Sequence, residues 1–247
     1  MVVYTSLDQI FSEPVLDDFQ EKTGIKVKAV YDVEASKTTG LFNRLLAEKA
    51  NPQCDVFWNS EVGRTIILKH KGVLTSYVSP SAKDIPAQFK DADDFWTSFA
   101  ARARVLVYNT DLLEESELPE SIFELTEPGW KGRVAMGYPL FGTTATHVAA
   151  LWANLGPDKT EEYLKALRAN KIVIVDGNAV ARDMVVKGRM PLAFTDTDDV
   201  NVAARDGVAT PAHVPSYSSI KAMVVDYEDI AKNMKEATRF CQELFVR

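Results

Sequence analysis

The sequence has only two cysteines and three histidines, and no unbroken apolar run of the length a membrane span needs, about 18 residues. Cys54 and Cys241 lie far apart and form no CxxC pair, which excludes a zinc knuckle and a dithiol redox motif. Both read as small core hydrophobes rather than a disulfide: Cys54 precedes the strand-like "DVFW", and Cys241 falls on an amphipathic helix. Basic clusters are missing too. With 28 Lys and Arg against 35 Asp and Glu, the net charge is -7, so nucleic acid is not an expected partner. The chain carries no GxSxG elbow and no Walker loop, and none of its carboxylates has an evident nucleophile or base beside it. A hydrolase or transferase is therefore the weakest reading. No charged leader and apolar core precede Val2. Met1 directly before "VVYTS" reads as a start residue placed on a trimmed mature chain, which leaves an exported origin open.

What is present is an alternation of short β-like and helical runs. "VVYTS" (2–6) is β-rich, and the helical run after it stops at Gly24. "IKVKAVYD" (25–32) alternates like a half-exposed strand. Leu41, Leu45, Leu46 and Ala50 share helical spacing within 36–50. "CDVFW" (54–58) is a third strand, and 60–72 reads as a helix with Ser60 at its start and Gly72 at its end. This rhythm predicts an α/β layer fold with a largely parallel sheet. The stretch 79–100, with two prolines and many acids, reads as irregular surface chain. A second set of strands follows at 104–109, 133–137, 172–177 and 190–194. Helices fit 143–155, 158–170, 178–188 and 198–206. Two α/β lobes are expected, 1–99 and 100–212, followed by a C-terminal segment, 213–247. Its helix, with Ile230, Met234, Ala237, Phe240, Cys241 and Leu244 on one face, should pack on the second lobe.

In open α/β sheets ligands bind beyond the carboxyl ends of the strands. Asp8 follows the first strand, and Asp32, Glu34, Ser36 and Thr38 the second. Glu61 follows the third. "FGTTATH" brings Gly142, Thr143, Thr144 and His147 to the opening of a helix. There free N–H groups, two hydroxyls and the positive end of the helix dipole suit an anion, although a plain N-cap has the same signature. Asn178 stands at another strand-to-helix junction, where a cap or turn residue is the alternative. "PLAFTDTDD" ends a buried-looking strand in Thr195, Asp196, Thr197, Asp198 and Asp199. Acids in a first helical turn complement the dipole, so part of that cluster, Asp199 above all, is explained as capping. The same holds for Glu61. His147 fits a packed or surface histidine better than a ligand.

The blocks "VVYTSLDQIFSEPVLDDFQEKTGIKVKAVYD", "CDVFWNSE", "WKGRVAMGYPLFGTTATH", "DGNAVARDMVVKGRMPLAFTDTDD" and "VDYEDIAKNMKEATRFCQELF" together resemble the extracellular solute-binding proteins of ABC importers, in the ferric-iron-binding branch. The resemblance implies a two-lobed, Venus-flytrap α/β fold without catalysis. It implies a periplasmic or lipid-anchored location, a membrane permease as partner, and Fe(III) with phosphate or carbonate as ligand. On this likeness Thr143, Thr144, Asn178 and Thr195 match the anion-holding positions. Glu61 matches a metal-ligating carboxylate, and Asp8 a first-lobe ligand. Two departures stand out. Where iron-binding members carry adjacent tyrosines, this chain has Thr197 and Asp198, so Asp198 joins Glu61 as the candidate metal ligand. The chain is also short between about residues 208 and 215, which implies an incomplete first lobe and self-association as compensation. The missing tyrosines raise an alternative ligand, a small zwitterion or organic anion bearing a phosphonate or phosphate, with its ammonium group on Asp8, Glu61 or Asp198.

Overall fold

The computed structural model of the chain describes residues 1–32, 38–205, 223 and 225–246. The residues pack into two compact units. One comprises Met1–Ala101 with Phe141–Thr146, the other Arg102–Leu140 with His147–Arg247. Glu34 and Ser36, and the shortened stretch at 208–215, lie outside the described residues.

The first unit runs β1 (Val2–Thr5), α1 (Gln9–Thr23), β2 (Lys28–Tyr31), α2 (Thr39–Ala47), β3 (Val56–Trp58) and α3 (Val62–His70). Its strands form one parallel sheet in the order β2-β1-β3. β1 is central, and Val3 and Tyr4 are buried. Tyr4 packs with Leu41, Leu45 and Leu68, so helical spacing on α2 and α3 and β-propensity on β1 meet in one cluster. Gly24 ends α1 at φ 71°, a left-handed conformation that glycine adopts without a Cβ penalty, and its N–H donates to Gln20 O at 2.9 Å. β2 is shorter than the alternation predicts, because Ile25 and Lys26, just past that turn, are exposed and remain outside the ladder. The acid-rich stretch 79–100 holds short 3-10 turns at Pro80–Ala82 and Ala87–Phe89 and a Lys90–Thr97 bridge. Lys69 of α3 fastens it with bonds to Asp91 at 2.6 Å and Asp93 at 3.1 Å.

The second unit holds β4 (Arg104–Tyr108), β5 (Val134–Gly137), α5 (Pro157–Ala169), β6 (Val173–Val175), α6 (Asn178–Val186), β7 (Leu192–Asp196), α7 (Thr197–Arg205) and α8 (Tyr227–Phe245). α4 (Gly142–Leu155) begins among the residues of the first unit and continues in the second. The sheet order is β4-β7-β5-β6, with β4 antiparallel to β7 and the other pairs parallel. From β5 the chain moves to β6 on one side, then returns to β7 on the other. That reversal makes the carboxyl ends of β5 and β7 a topological switch point, the kind of place where α/β sheets bind ligands. β5 and β7 are buried along their whole length, as parallel strands covered on both faces should be. α8 turns its buried Ile230, Met234, Ala237 and Cys241 inward. Its Phe240 ring packs at a tilt against Trp152 of α4, with centroids 5.6 Å apart. Cys54 and Cys241 are both free thiols, and burial pushes the Cys241 thiol up to about 12.

Candidate functional site

At the rim of the first unit, α3 starts at Val62, one step later than Ser60 suggests. Glu61 is the N-cap: its backbone is extended (φ -146°, ψ 149°), and its carboxylate accepts the Arg64 N–H at 3.1 and 3.2 Å. Sequence alone favours Ser60 because serine is a strong capping residue. The hydroxyl of Ser60 instead meets that of Ser6 at 3.1 Å. The Glu61 side chain is buried. It faces the Arg64 guanidinium at 3.5 Å and accepts the Thr146 hydroxyl at 3.1 Å. That last bond fastens the first turn of α4 to the start of α3. Thr144 is buried and Thr143 partly exposed in the same turn of α4. Asp8 is partly exposed at the entry to α1, where its carbonyl, not its carboxylate, accepts the Ser12 hydroxyl at 3.1 Å.

In the second unit the candidate residues converge. Asn178 opens α6 straight after β6. Its Nδ2 donates to Asp196 Oδ2 at 2.9 Å, while its Oδ1 accepts from Arg104 at 2.7 Å. Thr195 is fully buried and donates to Asp199 Oδ2 at 2.9 Å. Thr197 continues the β4–β7 pairing by one step, its N–H donating to Ala103 O at 3.1 Å and its hydroxyl accepting from Ala103 N at 3.2 Å. Carboxylate oxygens of Asp196, Asp198 and Asp199 all lie within 4.8 Å of one another.

Three like charges so close need compensation, and the chain provides it. The β4–β7 register sets Arg104 directly across from Asp196, with a contact at 3.2 Å. Arg102 reaches Asp196 at 3.8 Å and also binds Asp198. Arg182, on α6, faces Asp199 at 3.7 Å. Burial lowers the affinity of Arg102 for its proton, but the charges of Asp196 and Asp198 more than offset it, so its pKa stands above the ordinary value. For Arg104 burial prevails and the pKa is lowered. Asp199 is pushed up to about 6, first by burial and then by the charge of Asp198; its bond from Thr195 works against that rise. His147 packs against Phe194 at 5.8 Å, and burial, reinforced by the Arg104 charge, pushes it down to about 3. It is therefore a neutral packing residue near neutral pH. None of the three arginines was singled out from sequence. Arg102 and Arg104 stand 96 and 92 residues from their acids, so no local pattern signals the pairing.

Two α/β units, one with a parallel sheet and one with a mixed sheet, with polar residues gathered at strand ends, define a solute-binding fold of the periplasmic type. The chain belongs to the bacterial extracellular solute-binding protein family, whose model matches residues 4–229. It is 26% identical over 190 residues to the Fe(3+)-binding periplasmic protein of Serratia marcescens, covering 77% of this chain and 54% of that one. Iron-bound HitA from Pseudomonas aeruginosa superposes with a TM-score of 0.77 at 25% identity, covering 84% of this chain and 66% of that one. The ferric binding protein from Campylobacter jejuni shares the fold with a TM-score of 0.82 at 19% identity, covering 99% of each chain. The chain spans about half the length of the curated relatives it matches first.

Proposed function

We propose that the chain is the solute-binding component of an ABC importer, which works outside the cytoplasmic membrane and delivers a small ligand to a membrane permease. The favoured ligand is Fe(III) with a synergistic anion such as phosphate or carbonate, in line with the ferric-iron-binding proteins it resembles. The observation that carries this reading is the trio Asp196, Asp198 and Asp199, whose oxygens lie within 4.8 Å of one another. Carboxylate oxygens are hard donors suited to a hard cation. Asp198 and Glu61 are the proposed metal ligands, with Asp8 and Thr197 as further contacts to the solute. Thr143, Thr144, Asn178 and Thr195 are assigned to the anion.

A second reading rests on a specific observation: each acid of the trio already faces a guanidinium of the chain. A zwitterion bearing a phosphate or phosphonate brings one ammonium and one anion, and could exchange with such pairs one for one. Metal analysis and native mass spectrometry of freshly purified protein separate the two. Bound iron, or uptake of ferric citrate by calorimetry, supports the first. A colourless protein that binds an aminoalkylphosphonate and no iron supports the second. A protein that carries no solute and takes up neither would overturn both.

A further inference from the structure

Among the three acids Asp198 is balanced differently. Asp196 is buried and faces two guanidiniums and the Asn178 amide. Asp199 is buried between the Thr195 hydroxyl and Arg182. Asp198 sits nearer solvent, its side chain 24% exposed, and Arg102 binds it through Oδ2. Its other oxygen, Oδ1, is enclosed and receives no hydrogen bond among the described residues. The two arginines of this edge also differ. Arg104 is locked into the sheet by its cross-strand register and lies over the Phe194 ring. Arg102 comes from the chain just before β4, outside the ladder, and its side chain is 25% exposed. Of the two, Arg102 is the one nearer water, with Arg104 only 13% exposed.

We propose that Arg102 is a built-in counter-ion, which holds on Asp198 the place of the ligand's cationic group and is displaced when the ligand binds. This rests on the functional reading above, in either of its two forms. A guanidinium held at this carboxylate screens it from abundant monovalent cations. Only a group of higher charge density, or an ammonium anchored by its own anion, competes well enough to displace it. Arg102 thereby acts as a specificity-determining residue: it lowers affinity for every cation and so rejects the weak ones. Once Arg102 leaves Oδ2, the enclosed Oδ1, which spends no hydrogen bond on the described residues, is available as a second donor to the incoming group.

The test uses terbium(III), a hard luminescent trivalent cation, titrated into the full chain near pH 6.5. Arg102→Gln keeps length and polarity but removes the charge, and should bind terbium at least ten-fold more tightly than the unaltered chain. Arg102→Lys restores the charge and should give back most of that gain. Combining Arg102→Gln with Asp198→Asn should abolish it, because the two substitutions act through one pair. Equal or weaker binding by Arg102→Gln overturns the proposal, as does a gain that persists without Asp198 or a failure of every variant to take up terbium. Melting curves show whether each variant is folded, and Arg102→Lys with Asp198→Asn decides the matter if Arg102→Gln is not. Failure of the broader reading registers separately, as a protein that carries and accepts no solute by native mass spectrometry. A displaced arginine with no physiological ligand, or a ligand held without displacement, would thus be told apart.

Discussion

Replacing Asp199 by asparagine should stabilise the protein at neutral pH, and the gain should vanish in acid. Asp199 is a carboxylate buried beside two others, and its pKa rises from 3.8 to about 6 on folding. The sign follows from which state binds the proton more tightly. With a raised folded-state pKa, the favourable contribution is complete below pH 3.8 and is lost as pH climbs through about 6. Above that, the folded state holds an anion it would rather protonate. At about 1.4 kcal/mol for each pH unit over that interval, the burden at pH 7 has a ceiling of about 3 kcal/mol. Asparagine removes the charge, and its Oδ1 can still accept the Thr195 hydroxyl. It forfeits the attraction of Arg182, which lies 3.7 Å away on α6 and now faces an amide. A net gain of about 1–3 kcal/mol at pH 7 is expected, shrinking to near zero at pH 4.

Guanidinium unfolding followed by tryptophan fluorescence at pH 4, 5, 6 and 7 measures it, read as the difference between variant and unaltered protein at each pH. Taking the difference cancels the titration of other groups, such as Asp91 and Asp183, whose lowered pKa values add stability in the opposite sense. A difference that is flat with pH would show that Asp199 titrates normally. A variant less stable at pH 7 would show that the Arg182 attraction outweighs the cost of burial. Either result refutes the reasoning.

His147 titrates in the opposite sense: lowered to about 3, it favours folding above pH 6.5, and that contribution drains away as pH falls toward 3. His147→Phe should therefore flatten the acid limb between pH 6 and pH 4 in the same unfolding assay, and an unchanged limb would return the acid sensitivity to the carboxylates. Glu61→Gln should cost roughly 1–3 kcal/mol, because the buried Arg64 guanidinium loses its anionic neighbour while the cap to Arg64 N–H survives; thermal denaturation without ligand checks it. If Thr144 holds an anion, phosphate should raise the melting temperature by mass action, and Thr144→Val should remove the response; an equal response in the variant would leave Thr144 as a packed cap residue. The three-stranded sheet of the first unit has β2 and β3 as its outer strands among the described residues, and sheet edges are where another chain can pair. Light scattering at high micromolar concentration should show a species heavier than the 27.4 kDa chain, and a clean monomer would dismiss self-association.

The alternation of elements was legible because it is local. β1 announces itself by a β-branched run, α2 by leucines at helical spacing, β5 and β7 by short apolar runs, and α8 by one continuous apolar face. The acids of "TDTDD" stood out for the same reason, since three carboxylates in four positions are visible without a partner. What gives them meaning is not local. Arg104 meets Asp196 only because β4 enters antiparallel beside β7, a strand from a distant part of the chain. Arg182 meets Asp199 because α6 packs against β7 and against α7, the helix that carries the acid. Read from sequence, the cluster looks like an anionic pocket waiting for a cation; read with its register, it is a set of ion pairs already closed. The difference changes the question asked of a ligand. On the proposal made for Arg102, binding is an exchange, in which a cation gains Asp198 only as Arg102 lets go, so affinity measures the difference between two partners rather than the strength of one. That is why the decisive substitution falls on the arginine, a residue with no motif of its own, and not on the acids that first draw the eye.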